Sequence, residues 1–156
     1  MLLNLAVVIA YLSWLKGSWN AEARRILPLY LLGFAVQLLH FYEEYRAGFQ
    51  REFPALFGYT WSDQRFLLFN VGWLCMFALA GIGLAYRVRL AYLAVLFFAI
   101  GAGIGNGAGH LLLSVVQGRY FPGAWTAGPL LSVGILLLRK LLQQHAEIRS
   151  GTQAAP

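Results

Sequence analysis

Four long uncharged runs dominate this chain: residues 26–42, 66–86, 90–116 and 121–138. The short segments around them carry the Lys, Arg, Asp and Glu. Each run meets or approaches the ~17–25 residues that a helix needs to cross a hydrocarbon layer. Membrane strands would alternate apolar and polar residues, whereas these runs are apolar throughout, so the pattern predicts helices. Residues 2–15 form a fifth apolar stretch that is shorter than a usual crossing. It predicts a slightly short first span, with a signal-peptide core or a partly embedded helix as alternatives. No Lys or Arg precedes it, which argues against a signal peptide, although Ala21-Glu22-Ala23 is a weak small-residue cleavage pattern. The expected fold is an all-α polytopic membrane bundle of about five transmembrane helices. It forms a single domain over residues 1–149, followed by a disordered tail at 150–156.

Composition supports the same class. Charged residues are 12% of the chain and hydrophobic ones 60%, with a mean hydropathy of +0.63. A soluble domain would carry about a quarter charged residues, so no soluble domain is expected. The net charge of +6 does not point to nucleic acid, because the cations are dispersed among the loops. If the spans alternate, Lys16, Arg24, Arg25, Arg87, Arg89, Arg139, Lys140 and Arg149 share one side, and Arg46, Arg51, Arg65 and Arg119 share the other. That imbalance predicts a multi-pass cell-membrane protein with a cytoplasmic C-terminus. Cys75 is the only cysteine, which excludes an intrachain disulfide and a cysteine-rich metal cluster.

The loops and the last two runs add detail. Residues 45–65 mix charges with Phe49, Phe53, Phe57, Tyr59 and Trp61, a composition suited to the headgroup layer, and could also cap a cavity on that face. Pro129 lies inside the last run, where it would kink a helix. Gly101, Gly103, Gly105, Gly107 and Gly109 form overlapping small-xxx-small pairs that let helix backbones approach closely, within one chain or between copies in a homo-oligomer. Gly103-x-Gly105-x-x-Ala108 loosely fits a dinucleotide fingerprint but lacks the preceding strand, and is rejected.

The chemistry concentrates at a few positions. His40-Phe41-Tyr42-Glu43-Glu44 ends the 26–42 run with one imidazole and two carboxylates at helical i, i+3 and i+4 spacing, which predicts that they converge. Asn106 and His110 lie one turn apart in the 90–116 run, among glycines that leave room for a neighbour or a ligand. The second and fourth spans run in the same direction, so both histidines fall in the non-cytoplasmic half. Tyr120-Phe121-Pro122-Gly123 forms a turn on that same face. Ionisable groups at such depth are costly and usually functional.

Together these motifs resemble the HXXEE family of small bacterial integral membrane proteins. The resemblance rests on His-x-x-Glu-Glu at 40–44, Asn-x-x-x-His at 106–110 and Tyr-x-Pro-Gly at 120–123, and it spans residues 26–140. The family has no established activity, so it implies candidate residues rather than a reaction.

Three kinds of work suit two carboxylates, two imidazoles and an amide. His40, Glu43, Glu44 and His110 could ligate zinc, iron or manganese and activate a bound water, as a hydrolase or oxidase does. Without a metal, the same groups could act as an acid–base pair on a lipid, as in an isomerase. The alternatives are an ion or small-molecule carrier, or a structural bundle. The reading taken forward is an enzyme acting on a lipid or other apolar substrate. His40, Glu43, Glu44 and His110 are its reactive or metal-binding groups, with Asn106 orienting them. Tyr120, Pro122 and Gly123 shape the pocket.

Overall fold

The computed structural model describes residues 2–17 and 23–149, and every regular element among them is helical. Helix α1 spans Leu2–Lys16, α2 Ala23–Ala47, α3 Phe49–Ala55, α4 Asp63–Ala85, α5 Arg89–Phe97, α6 Asn106–Gln117 and α7 Ala124–Arg149. A π-helical segment, Phe98–Gly105, joins α5 to α6, and the three form one continuous rod. Among the described residues, four helices are long and apolar enough to cross a membrane: Ala23–Ala47, Asp63–Ala85, Arg89–Gln117 and Ala124–Ala146. Their outward faces carry exposed Leu39, Leu68, Val115 and Val116, an apolar surface that only lipid would tolerate. The protein is a polytopic helical membrane bundle. The tail from residue 150 and the Ala21-Glu22 part of the cleavage pattern lie outside the described residues.

The short first segment is a helix of the bundle. At 15 residues it is about 22 Å long, less than a hydrocarbon layer of about 30 Å. It packs antiparallel to the fourth-span rod: Trp14 Nε1 donates to the Arg89 carbonyl at 3.0 Å, and Ala6 sits opposite Gly101.

The remaining helices meet where small residues let them. Gly103 and Gly134 touch backbone to backbone, since a Cβ on Gly103 would fall 2.7 Å from Gly134 Cα. A Cβ on Gly107 would fall 2.8 Å from the Ala127 carbonyl oxygen. These small residues of the fourth span therefore serve contact with α7 of the same chain, the close approach expected of a small-xxx-small stripe. Helix α7 passes through Pro129 without interruption.

Helix α2 supplies the inner wall. Its buried residues are Ala23, Ile26, Tyr30, Gly33, Gln37, His40 and Glu44, an alternation of three and four that keeps one stripe facing the bundle. The lower part of the stripe is oily, and the Tyr30 hydroxyl is accounted for by the Phe77 carbonyl at 2.6 Å. Polar groups begin at Gln37 and end at Glu44, so the sequence of this one face sets the depth of the site.

Candidate metal centre

His40 and Glu44 are successive positions of the buried α2 stripe, 0% and 4% exposed. His110, 2% exposed, enters from α6. The two imidazoles meet edge to face with ring centres 4.7 Å apart. Glu44 Oε1 lies 2.9 Å from His110 Nε2 and 3.4 Å from His40 Nε2. One ligand atom from each of the three residues lies within 4.8 Å of the other two. Ligands in a tetrahedral zinc site, at 2.0–2.2 Å from the ion, are about 3.4 Å apart, so the cluster is close to ligating dimensions.

Proton accounting sharpens this picture. The Thr126 hydroxyl has one proton, and it donates to Glu43 Oε2 at 2.5 Å. Towards His40 Nδ1, at 2.8 Å, that hydroxyl can only accept, so His40 carries its proton on Nδ1. His110 Nδ1 faces the Pro122 carbonyl at 2.6 Å, which also can only accept. Both imidazoles are thus held as the Nδ1–H tautomer. The His110 Nε2 lone pair faces a carboxylate oxygen that is itself an acceptor, while His40 Nε2 lies 3.4 Å from the same oxygen and accepts from Asn106 Nδ2 at 3.0 Å. At 2.9 Å the His110–Glu44 contact needs a cation between its two lone pairs, either a proton or a metal ion. Fixing the outer ring nitrogen on a carbonyl or a carboxylate-linked group is the usual arrangement around a metal-bound histidine.

Asn106 Nδ2 lies 3.0 Å from His40 Nε2, the same ring nitrogen that faces Glu44 at 3.4 Å. Turning its amide would present the oxygen instead.

Glu43, expected beside Glu44, is placed elsewhere. It projects about 100° further round α2 and reaches the start of α7. There Oε1 accepts from the Trp125 amide at 3.0 Å and the Tyr120 hydroxyl at 2.7 Å, and Oε2 accepts from the Thr126 amide at 2.9 Å. A carboxylate from another helix thus caps the α7 N-terminus, where orphan amides and the helix dipole favour an anion. Its link to the centre is indirect, through Thr126. Desolvation first, and Glu43 second, push the Tyr120 phenol up to about 12, so it stays a neutral donor near pH 7.

The Tyr120–Gly123 turn shapes the centre at each position. Tyr120 fixes Glu43, and the Phe121 amide donates to Ser114 Oγ at 3.2 Å. Pro122 fixes His110, and Gly123 makes room for both imidazoles. A Cβ on Gly123 would fall 2.5 Å from His110 Nδ1 and 3.0 Å from His40 Cε1, and its φ of +95° is itself unfavourable for other residues.

Phe49 of α3 covers the outer side, with its ring centre 5.0 Å from that of His110 and 6.0 Å from that of Phe121. The 45–65 loop therefore contributes a cover, while its exposed Phe57 and Tyr59 suit the headgroup layer.

The family model described as "Protein of unknown function with HXXEE motif" matches residues 31–137. The chain belongs to the HXXEE family. No curated protein and no solved structure matches it. In this HXXEE protein the motif is divided by geometry: its histidine and second glutamate line the centre, and its first glutamate anchors the helix that holds the histidine in place. Sequence reasoning missed Thr126, for which no motif gives a signal, and underweighted Phe49.

Proposed function

We propose that this HXXEE protein is a membrane metalloenzyme in which His40, Glu44 and His110 hold one divalent transition metal, and that it acts on a lipid or another apolar substrate. The observation that carries this reading is the convergence of two imidazole Nε2 atoms on one carboxylate oxygen, with both Nδ1 protons committed outward and an amide that can turn away from His40. Two imidazoles and a carboxylate fit zinc, iron or manganese, and a three-ligand set leaves positions open for water or substrate. Such an ion would supply a Lewis acid and a water ionised near neutral pH. The chain's own residues do the rest. Glu43 and Thr126 orient His40, Pro122 orients His110, and Phe49 keeps bulk water from the carboxylate.

The chemical alternative, a metal-free acid–base pair, draws support from the 2.9 Å contact, which a shared proton already satisfies. Two apolar clefts on the bundle surface contain no residue of this centre; this reading takes the cover at Phe49, 5.0 Å from the His110 ring, as the way in for substrate.

Elemental analysis of the full chain in mild detergent separates these readings. The metalloenzyme reading expects about one zinc, iron or manganese per chain, falling to background in His40→Ala. Metal-free wild-type protein that cannot be loaded by added zinc, iron or manganese leaves the acid–base reading.

The oriented-histidine account makes a finer prediction. Thr126→Val keeps the volume but removes the hydroxyl between Glu43 and His40. Metal affinity, measured by competition with a chelator, is expected to fall about 10–100-fold. An unchanged affinity would mean that the Glu43–Thr126–His40 chain does not orient the ligand.

A further inference from the structure

A second site lies at the other end of the bundle, where α1 and α4 meet α5. A cleft of about 520 Å³ there is lined by apolar surface from Val7, Tyr11, Met76, Gly83, Val88 and Ala94, among others. That volume falls within the range of small-molecule sites. In a bilayer a cleft of this kind fills with an acyl chain, and its rim decides which lipid supplies it.

The rim is cationic, and one of its cations is held in place. Arg89 Cζ lies 4.7 Å from the centre of the Trp14 ring. Trp14 is itself fixed by its hydrogen bond to the Arg89 carbonyl, and it stacks at 6.2 Å on Tyr11, which lines the cleft. Arg87 and Lys16, both exposed, lie in the adjoining turn and in the last turn of α1. The acidic side chains whose positions are described, Glu43, Glu44, Glu52 and Asp63, belong to the opposite end. Asp63 opens α4, a helix of 23 residues spanning about 33 Å. Basic pockets between membrane helices suit phosphate headgroups.

We infer that this cleft binds an anionic phospholipid, with an acyl chain between α1, α4 and α5 and its phosphate beside Arg89 and Arg87. The ligand belongs to the leaflet at the basic end. The inference is independent of the metal reading, because it shares no residue with the centre at His40.

Native mass spectrometry of the full chain tests it, with phosphatidylglycerol and phosphatidylcholine of matched acyl chains supplied in equal amounts. Wild-type protein is expected to retain the anionic lipid with about tenfold preference. The double variant Arg87→Gln/Arg89→Gln, changed only at exposed positions, should fall to near parity. Ala94→Phe, which fills the cleft, should reduce retention of both lipids. Arg139→Gln removes an exposed cation on α7 and should leave the preference intact. Equal retention of the two lipids by wild-type protein would overturn the inference. So would undiminished anionic binding in Ala94→Phe, or a loss in Arg139→Gln as large as in the double variant.

Discussion

Glu44→Gln is expected to abolish metal retention while the bundle stays folded. The substitution keeps the side-chain volume and supplies an amide proton to the His110 Nε2 lone pair, which Glu44 now faces at 2.9 Å. It removes the only carboxylate among the three converging ligands. Without that charge, two neutral imidazoles in an oily interior hold a divalent ion poorly. Retained metal should drop from about one per chain to less than about a tenth. The thermal midpoint measured for the metal-free proteins should differ little. Elemental analysis beside that melting curve checks both halves of the prediction. Full metal occupancy in Glu44→Gln would remove the residue from the ligand set.

Gly123→Ala should damage both the fold and the centre. A methyl group there meets the His110 ring at 2.5 Å and the His40 ring at 3.0 Å. Neither ring can retreat without breaking a bond, because Pro122 and Glu44 hold the first while Thr126 and Asn106 hold the second. The left-handed backbone costs alanine about 1–2 kcal/mol, and overpacking adds about 1–3 kcal/mol. A loss of about 2–5 kcal/mol is expected, seen as a markedly lower thermal midpoint in detergent together with lost metal. Gly128→Ala, on the helix that follows this turn and with no atom within 4 Å of an added Cβ, is the control and should lose neither stability nor metal. Wild-type stability in Gly123→Ala would contradict the packing described for the two imidazoles.

Much of this was legible in the sequence for plain physical reasons. The long apolar runs become the long helices because lipid demands internally hydrogen-bonded segments. His40 and His110 reach the same depth because two parallel spans place them there. The assignment of Glu44 rather than Glu43 to the interior was also available. The three-four alternation through Tyr30, Gly33, Gln37 and His40 continues to Glu44 and bypasses Glu43.

Other features depend on tertiary contact. Alternating glycines weaken an α-helix but do not dictate that Phe98–Gly105 widens into a π-helix immediately before Asn106. Thr126 matters only because α7 is capped by a residue of α2, a contact 83 positions away in sequence. Phe49 reads as one aromatic among many until it is found against His110.

X-ray absorption at the metal edge tests the central claim most directly, using full-length protein purified in mild detergent. The account predicts one bound ion with outer-shell scattering from two imidazoles and a first shell completed by oxygen. A metal-free protein that takes up no added ion, or a bound ion whose spectrum lacks imidazole scattering, would contradict it.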